Sequence, residues 1–228
     1  MRKELTRAGF DAGPDTIAFH LQRQGLRVPS TSTIRRIITN AGLVTPQPQK
    51  KPRSSYIRFE AEQPNETWQS DFTHYRLATG RDVEILTWLD DHSRCALHIS
   101  AHTRVTGPIV LATFQTTVNE HGCPASTLTD NGMVFTTRLA GGRGGKNALE
   151  THLAALGVTQ KNSRPAHPTT CGKVERFQQT MKKWLRAQPE QPATLLLRAK
   201  HDAGPWLHNP YACHEKRNRP PRRSPFRT

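Results

Sequence analysis

An α/β fold with a mixed five-stranded sheet is predicted for the larger part of this 228-residue chain. Three observations predict it. Residues 68–101 hold three strand-like runs joined by short turns, the pattern of an antiparallel meander. Residues 106–187 then alternate helix, strand, helix, strand, helix, as crossover connections between parallel strands require. Before residue 64 the pattern is different: two helical stripes and a basic, proline-rich stretch. The length suffices for one good core plus a smaller module.

Each element has its own signal. In residues 14–42, Ile17, Phe19 and Leu21 form a short helical stripe that stops at Gly25. Pro29-Ser30 makes a turn, and Ser32 or Thr33 caps a second helix carrying Ile34, Ile37 and Ile38, with Arg35 and Arg36 exposed. Helix, turn, helix is the outline of a DNA reader, although any small helical hairpin has it. Residues 1–43 are therefore taken as a helix-turn-helix segment. Residues 44–63 follow as a basic linker carrying Lys50, Lys51 and Arg53, suited to lie along DNA or to act as a solvated spacer.

The core is expected over residues 64–188. Its first strand alternates around Trp68, Ser70, Phe72 and Tyr75. The second covers 83–89, and the third 94–101 beyond an Asp90-Asp91-His92-Ser93 turn. Ile109, Val110, Phe114 and Val118 mark a helix that Gly122 stops. A strand at 124–129, a Gly-rich loop at 140–145, a helix near 146–156 and a strand at 157–161 follow. The last helix, 172–187, places Val174, Phe177, Met181, Trp184 and Leu185 on one face. This is the element order of an RNase-H-like domain. The tail, 189–228, holds seven of the 17 prolines and is expected to be irregular.

Charge points to a polyanionic partner. The formal net charge is +15. It divides unevenly: 11 Lys and Arg against 3 Asp and Glu in residues 1–58, 9 against 11 in 59–172, and 13 against 4 in 173–228. Basic flanks suit phosphate backbones, and an acidic middle suits a metal site. No run approaches the roughly 20 apolar residues of a membrane span, and no secretory h-region is visible. A membrane partner is not expected, and the location expected is cytoplasmic. Four scattered cysteines suggest free thiols.

Three carboxylates stand out by position. Asp71 sits within the first strand, where a buried charge is costly without a partner. Asp130 ends the fourth strand in TLTDNGMVF, and Glu175 opens the last helix in CGKVERF. In an RNase-H-like sheet the first and fourth strands are neighbours, and a helix crossing them brings its Glu to the same point. Three hard oxygen ligands then suit one or two Mg²⁺ ions, with Mn²⁺ as substitute, for in-line phosphoryl displacement. Each residue has a plainer reading: an edge-strand charge for Asp71, a hairpin turn for Asp130-Asn131-Gly132, a helix-dipole residue for Glu175. Glu150 is the nearest rival ligand, and Asp90 and Asp91 are expected to serve the turn. Asn131, His167, Thr169, Lys173, Arg176 and Lys182 are candidate DNA contacts around the carboxylates, each also readable as solvated surface.

NETWQSDFTHY, ILTWLDDHSR, LTDNGMVF and HPTTCGKVERFQQTMKKWL together resemble the DDE-type catalytic core of bacterial insertion-sequence transposases, which is similar to retroviral integrase. The likeness covers about residues 14–188. It implies that Asp71, Asp130 and Glu175 are the catalytic, metal-binding carboxylates. It also implies Mg²⁺-dependent cleavage and transfer of DNA strands at element ends, by a homo-oligomer assembled on element and target DNA. The interval from Asp130 to Glu175 is longer than is usual in that family, and the insert LAGGRGGKNALE accounts for the excess. The start looks short and the tail matches poorly, as a frame change after about residue 194 would produce. Two rival readings stay open: a DNA-binding remnant without catalysis, and a nuclease for RNA–DNA hybrids.

Overall fold

The computed structural model describes residues 1–44, 60–77, 79–138, 145–162 and 172–188. These fall into two compact units, 60–182 and a helical unit of 1–44 with Lys183–Gln188. The candidates Lys50, Lys51, Arg53, His167 and Thr169, the Gly-rich loop, most of the expected linker and the whole tail lie outside the described residues.

The helical unit contains α1 (Arg2–Arg7), α2 (Pro14–Arg23) and α3 (Thr31–Asn40). Leu5, Ala12, Ile17, Ile34 and Ile38 form its core. The last two helices sit where the apolar stripes place them, but α1 has a single Leu in RKELTR and no stripe to announce it. The α3 cap is Ser30, not Ser32 or Thr33: its hydroxyl accepts the Thr33 N–H at 3.2 Å. Ile37, expected in the stripe, is 55% exposed beside the exposed Arg35 and Arg36. Two buried positions one turn apart, Ile34 and Ile38, suffice to dock this short helix.

The larger unit is a five-stranded mixed sheet of β1 (Thr67–Arg76), β2 (Asp82–Asp90), β3 (Ala96–His102), β4 (Ser126–Thr129) and β5 (Thr159–Asn162). Strand order is β3-β2-β1-β4-β5. The β1–β2 and β2–β3 pairs are antiparallel, and β1–β4 and β4–β5 are parallel. Two helices, α4 (Gly107–His121) and α5 (Ala148–Ala155), connect β3 to β4 and β4 to β5, and α6 (Gly172–Ala187) follows. This is the predicted RNase-H-like arrangement, with β1 central. It begins before Pro64, because Ala61 is buried and its N–H donates to Asp91.

Strand alternation sorts the side chains into two layers. Trp68, Leu86 and Trp88 pack with Val110, Phe114, Leu149 and Leu153 of α4 and α5. The rings of Trp68 and Trp88 lie 5.9 and 5.3 Å from that of Phe114, edge-on and tilted. The alternate β1 residues, Gln69 and Asp71, bond to α6, whose Val174, Phe177 and Met181 are fully buried. Cys123 is a free, exposed thiol. Cys95, in contrast, is disulfide-bonded, against the expectation of free thiols.

Candidate active site

β1 and β4 run parallel in a register that pairs Ser70 with Thr129. The next residue on each is an aspartate, so Asp71 and Asp130 sit side by side at the open end of β4. The Asp130 carboxylate accepts the Gly132 N–H at 2.9 Å, which closes the turn in the way Asx residues favour. A Cβ at position 132 would lie 3.0 Å from the same oxygen, so glycine leaves the carboxylate its place. Asn162 on β5 donates to the Asp130 carbonyl at 3.1 Å and steadies the turn from behind.

Asp71 is half-buried. One carboxyl oxygen accepts the Phe72 N–H at 2.8 Å, and the other accepts Gln178 Nε2 of α6 at 3.3 Å. Its pKa is pushed up to about 6. Burial is the largest cause and the Asp130 charge the next. The bonds from Phe72 and Gln178 oppose the shift, and the Glu175 charge adds to it. Asp71 therefore senses both of the other predicted carboxylates, although the three span 104 positions from first to last. Glu175 is exposed on the first turn of α6.

Three carboxylates offer only hard oxygen donors, and their mutual repulsion is the kind a divalent cation relieves. Among the described residues, however, no three His, Cys, Asp or Glu side chains are gathered closely enough to hold an ion as they stand. The rival, Glu150, is fully engaged elsewhere. It completes a capping box with Asn147 at the start of α5 and accepts from Thr136 and Thr137. Burial would raise its pKa, but those hydrogen bonds hold it below the ordinary range.

The other candidates divide. Arg35 and Arg36 line an open groove on the helical unit with Pro14, Asp15, Thr31, Ser32, Thr39 and Asn40. Asn131 is half-buried beside Asp130, Arg176 is exposed on α6, and Lys182 is half-buried there. Lys173 is only 12% exposed, and its ammonium is 2.5 Å from the Asp91 carboxylate. Burial lowers its pKa and Asp91 opposes that. The ion pair engages the charge expected to meet phosphate and ties the start of α6 to the turn after β2. Asp90 and Asp91 keep the turn role expected of them. Gln69 and Gln178, both buried beside Asp71, escaped the sequence reading. The available signals were their spacings, two residues before Asp71 and three after Glu175.

The fold and this geometry are similar to those of known proteins. Residues 61–168 match the integrase core domain. That stretch of the chain is similar to an integrase core. It is 29% identical over 163 residues to the insertion element IS407 uncharacterized 31.7 kDa protein of Burkholderia multivorans, covering 69% of this chain and 54% of that protein. Over 75 residues it is 35% identical to the insertion element IS476 uncharacterized 39.2 kDa protein of Xanthomonas euvesicatoria, covering 33% of this chain and 22% of that one. The chain thus spans about half the length of the first relative and less of the second. A simian T-cell lymphotropic virus intasome, solved in complex with a PP2A regulatory subunit, shares the fold. Its TM-score is 0.54 at 20% identity, over 94% of this chain and 80% of the viral one. No helix among the described residues is long and apolar enough to cross a membrane.

Proposed function

We propose that this chain is a DDE-type transposase that cuts DNA strands at the ends of an insertion element and transfers them to target DNA. Asp71, Asp130 and Glu175 are its catalytic carboxylates and would hold Mg²⁺, with Mn²⁺ as substitute. One observation carries the reading: the Asp71 carboxyl is raised by the charges of both Asp130 and Glu175. Together with the register that sets Asp71 beside Asp130, this supports a site drawn from β1, the end of β4 and α6.

When bound, the cation supplies positive charge that activates the attacking water or 3′-hydroxyl and stabilises the leaving oxygen. The chain's own residues hold the geometry. Phe72 N–H and Gln178 fix the rotamer of Asp71, and Gly132 N–H fixes that of Asp130. DNA is held by phosphate contacts through Arg35, Arg36, Lys50, Lys51, Arg53, His167, Thr169, Arg176 and Lys182, with Asn131 beside the scissile group. The working form is a homo-oligomer on DNA. Electrostatic affinity of this sort resides in the basic groups and not in the carboxylates.

The test is Mg²⁺-dependent nicking of DNA that carries element ends, native chain against Asp130→Asn, with binding followed by gel shift. Cleavage should fall by orders of magnitude while binding stays nearly unchanged. Equal cleavage by the variant would sink the assignment. Binding without cleavage by the native chain would identify a DNA-binding remnant instead, and preferential cutting of RNA–DNA hybrids would identify a hybrid nuclease.

A further inference from the structure

The first turn of α6 is held by a buried polar network that the catalytic scheme leaves unused. Helix starts leave backbone N–H groups without partners. Here the Val174 N–H is accepted by the side-chain oxygen of Gln69 at 3.2 Å, from β1. The other end of that amide donates to Asp91 at 2.6 Å. The second Asp91 oxygen accepts the Lys173 ammonium at 2.5 Å and the Ala61 N–H at 2.7 Å. Lys173 also donates to the Asp91 carbonyl at 3.2 Å. Asp91 has no exposed side-chain surface, and Gln69 is 1% exposed.

The placement matters more than the number of bonds. Gln69 lies two residues before Asp71, on the same face of β1. Lys173 and Val174 immediately precede Glu175. One network therefore joins the strand that bears one carboxylate to the helix turn that bears another. The two acids carry like charge, so the network ties together segments whose carboxylates repel each other. A buried ion pair is rarely better for stability than apolar residues of the same volume. Its more telling property is fixed geometry.

We propose that Gln69, Asp91 and Lys173 are positioning residues that anchor the first turn of α6, which bears Glu175, to the strand that bears Asp71, and thereby set the affinity of the site for a divalent cation. The inference rests on the three-carboxylate reading above. Groups that orient metal ligands from behind typically change metal affinity about 10- to 100-fold when lost.

The experiment follows the thermal midpoint of the full chain, free of DNA, as MgCl₂ or MnCl₂ is titrated. The native protein should gain stability with a definite half-saturation. Lys173→Met and Gln69→Leu should each need about 10-fold more cation or beyond, and Lys173→Arg should recover most of the native response. The deciding variant is the double replacement Asp91→Asn with Lys173→Met. It leaves no buried charge unpaired, so its cation-free midpoint should return toward native while its cation response stays weak. It also keeps the test alive where Lys173→Met alone fails to fold. A double variant that recovers both midpoint and response overturns the proposal and leaves the network with a stability role only. Asp130→Asn separates the two levels. If it loses the response while the network variants keep theirs, the network alone is overturned. If the native protein shows no response, or Asp130→Asn keeps it, the reading of the site falls and the network proposal with it.

Discussion

The turn after β2 and the turn after β4 flank the same central strand, and each places aspartate at a strand end. In the first, Asp90 accepts the Asn65 N–H at 2.9 Å and both the N–H and the hydroxyl of Ser93 at 2.7 and 2.5 Å. Asp91 accepts from Gln69, Ala61 and Lys173. Both side chains are almost wholly buried. In the second turn Asp130 is half-exposed, and its carboxylate takes a hydrogen bond from Gly132. Its charge is one cause of the raised pKa of Asp71 beside it. Buried acids with donors on every side build a fold. Acids left facing one another across a strand pair oppose it, and hold negative charge ready for a ligand. The two turns are told apart by who donates to them, not by the residue that sits there.

The largest expected effect comes from breaking the satisfied turn. Asp91→Ala strips the buried Lys173 of its counter-charge and leaves Gln69 and Ala61 N–H without an acceptor. Losing one partner of a buried pair typically costs about 3–5 kcal/mol. For a chain of this size that lowers the thermal midpoint by roughly 10 °C. Calorimetry or circular dichroism reads it directly. A midpoint within a degree or two of native would mean that Asp91 is no more engaged than Asp130.

Asp71, on the central strand beside the opposite turn, should respond with the opposite sign. The pKa of Asp71 is raised from 3.8 to about 6 in the folded chain. Between those values the folded state holds a proton that the unfolded state has lost, so stability falls as pH rises through the window and stays lower above it. Asp71→Asn keeps the shape, removes the charge and lifts that penalty. At pH 8 without divalent cations it should be more stable than native by about 2 kcal/mol, or roughly 5 °C. The difference should vanish below about pH 4. A less stable variant at pH 8 would mean that donors satisfy this carboxylate after all. Added Mg²⁺ should raise the native midpoint toward that of the variant.

How much of this was legible before folding follows from where the information lies. The strand and helix positions could be read because alternation and 3.6-residue stripes are local, and the strand order followed from the crossovers. The placement of Asp71 beside Asp130 could be read because each sits at a distinctive point of its strand, and the parallel β1–β4 register sets them side by side. The Ser30 cap and α1 were misplaced or missed: several hydroxyls compete at the first, and the second buries one leucine. The Gln69–Asp91–Lys173 network was out of reach. Its bonds join residues 22, 82 and 105 positions apart, and nothing local marks a glutamine or a lysine as buried. Lys173 shows the cost: beside a candidate catalytic Glu, in a basic helix, it reads as a phosphate contact until its partner is known.

The smallest effect tests whether Glu150 belongs with the satisfied acids. Its oxygens accept from the Asn147 N–H at 2.8 Å, from the Thr136 hydroxyl at 2.7 Å and from the Thr137 hydroxyl at 2.9 Å. Glu150→Gln retains the side chain's length but weakens each acceptor. The loss expected for a capping box is about 1 kcal/mol, a shift of a few degrees. Because its pKa is lowered on folding, the native advantage over the variant should be present near neutral pH and fade as pH falls below the ordinary Glu range. That trend is the reverse of the one expected at Asp71. Strand cleavage should be unchanged, since Glu150 holds the start of α5 and faces no other carboxylate of the site. A variant that keeps its stability but loses Mg²⁺-dependent cleavage would move Glu150 into the catalytic set and Glu175 out of it.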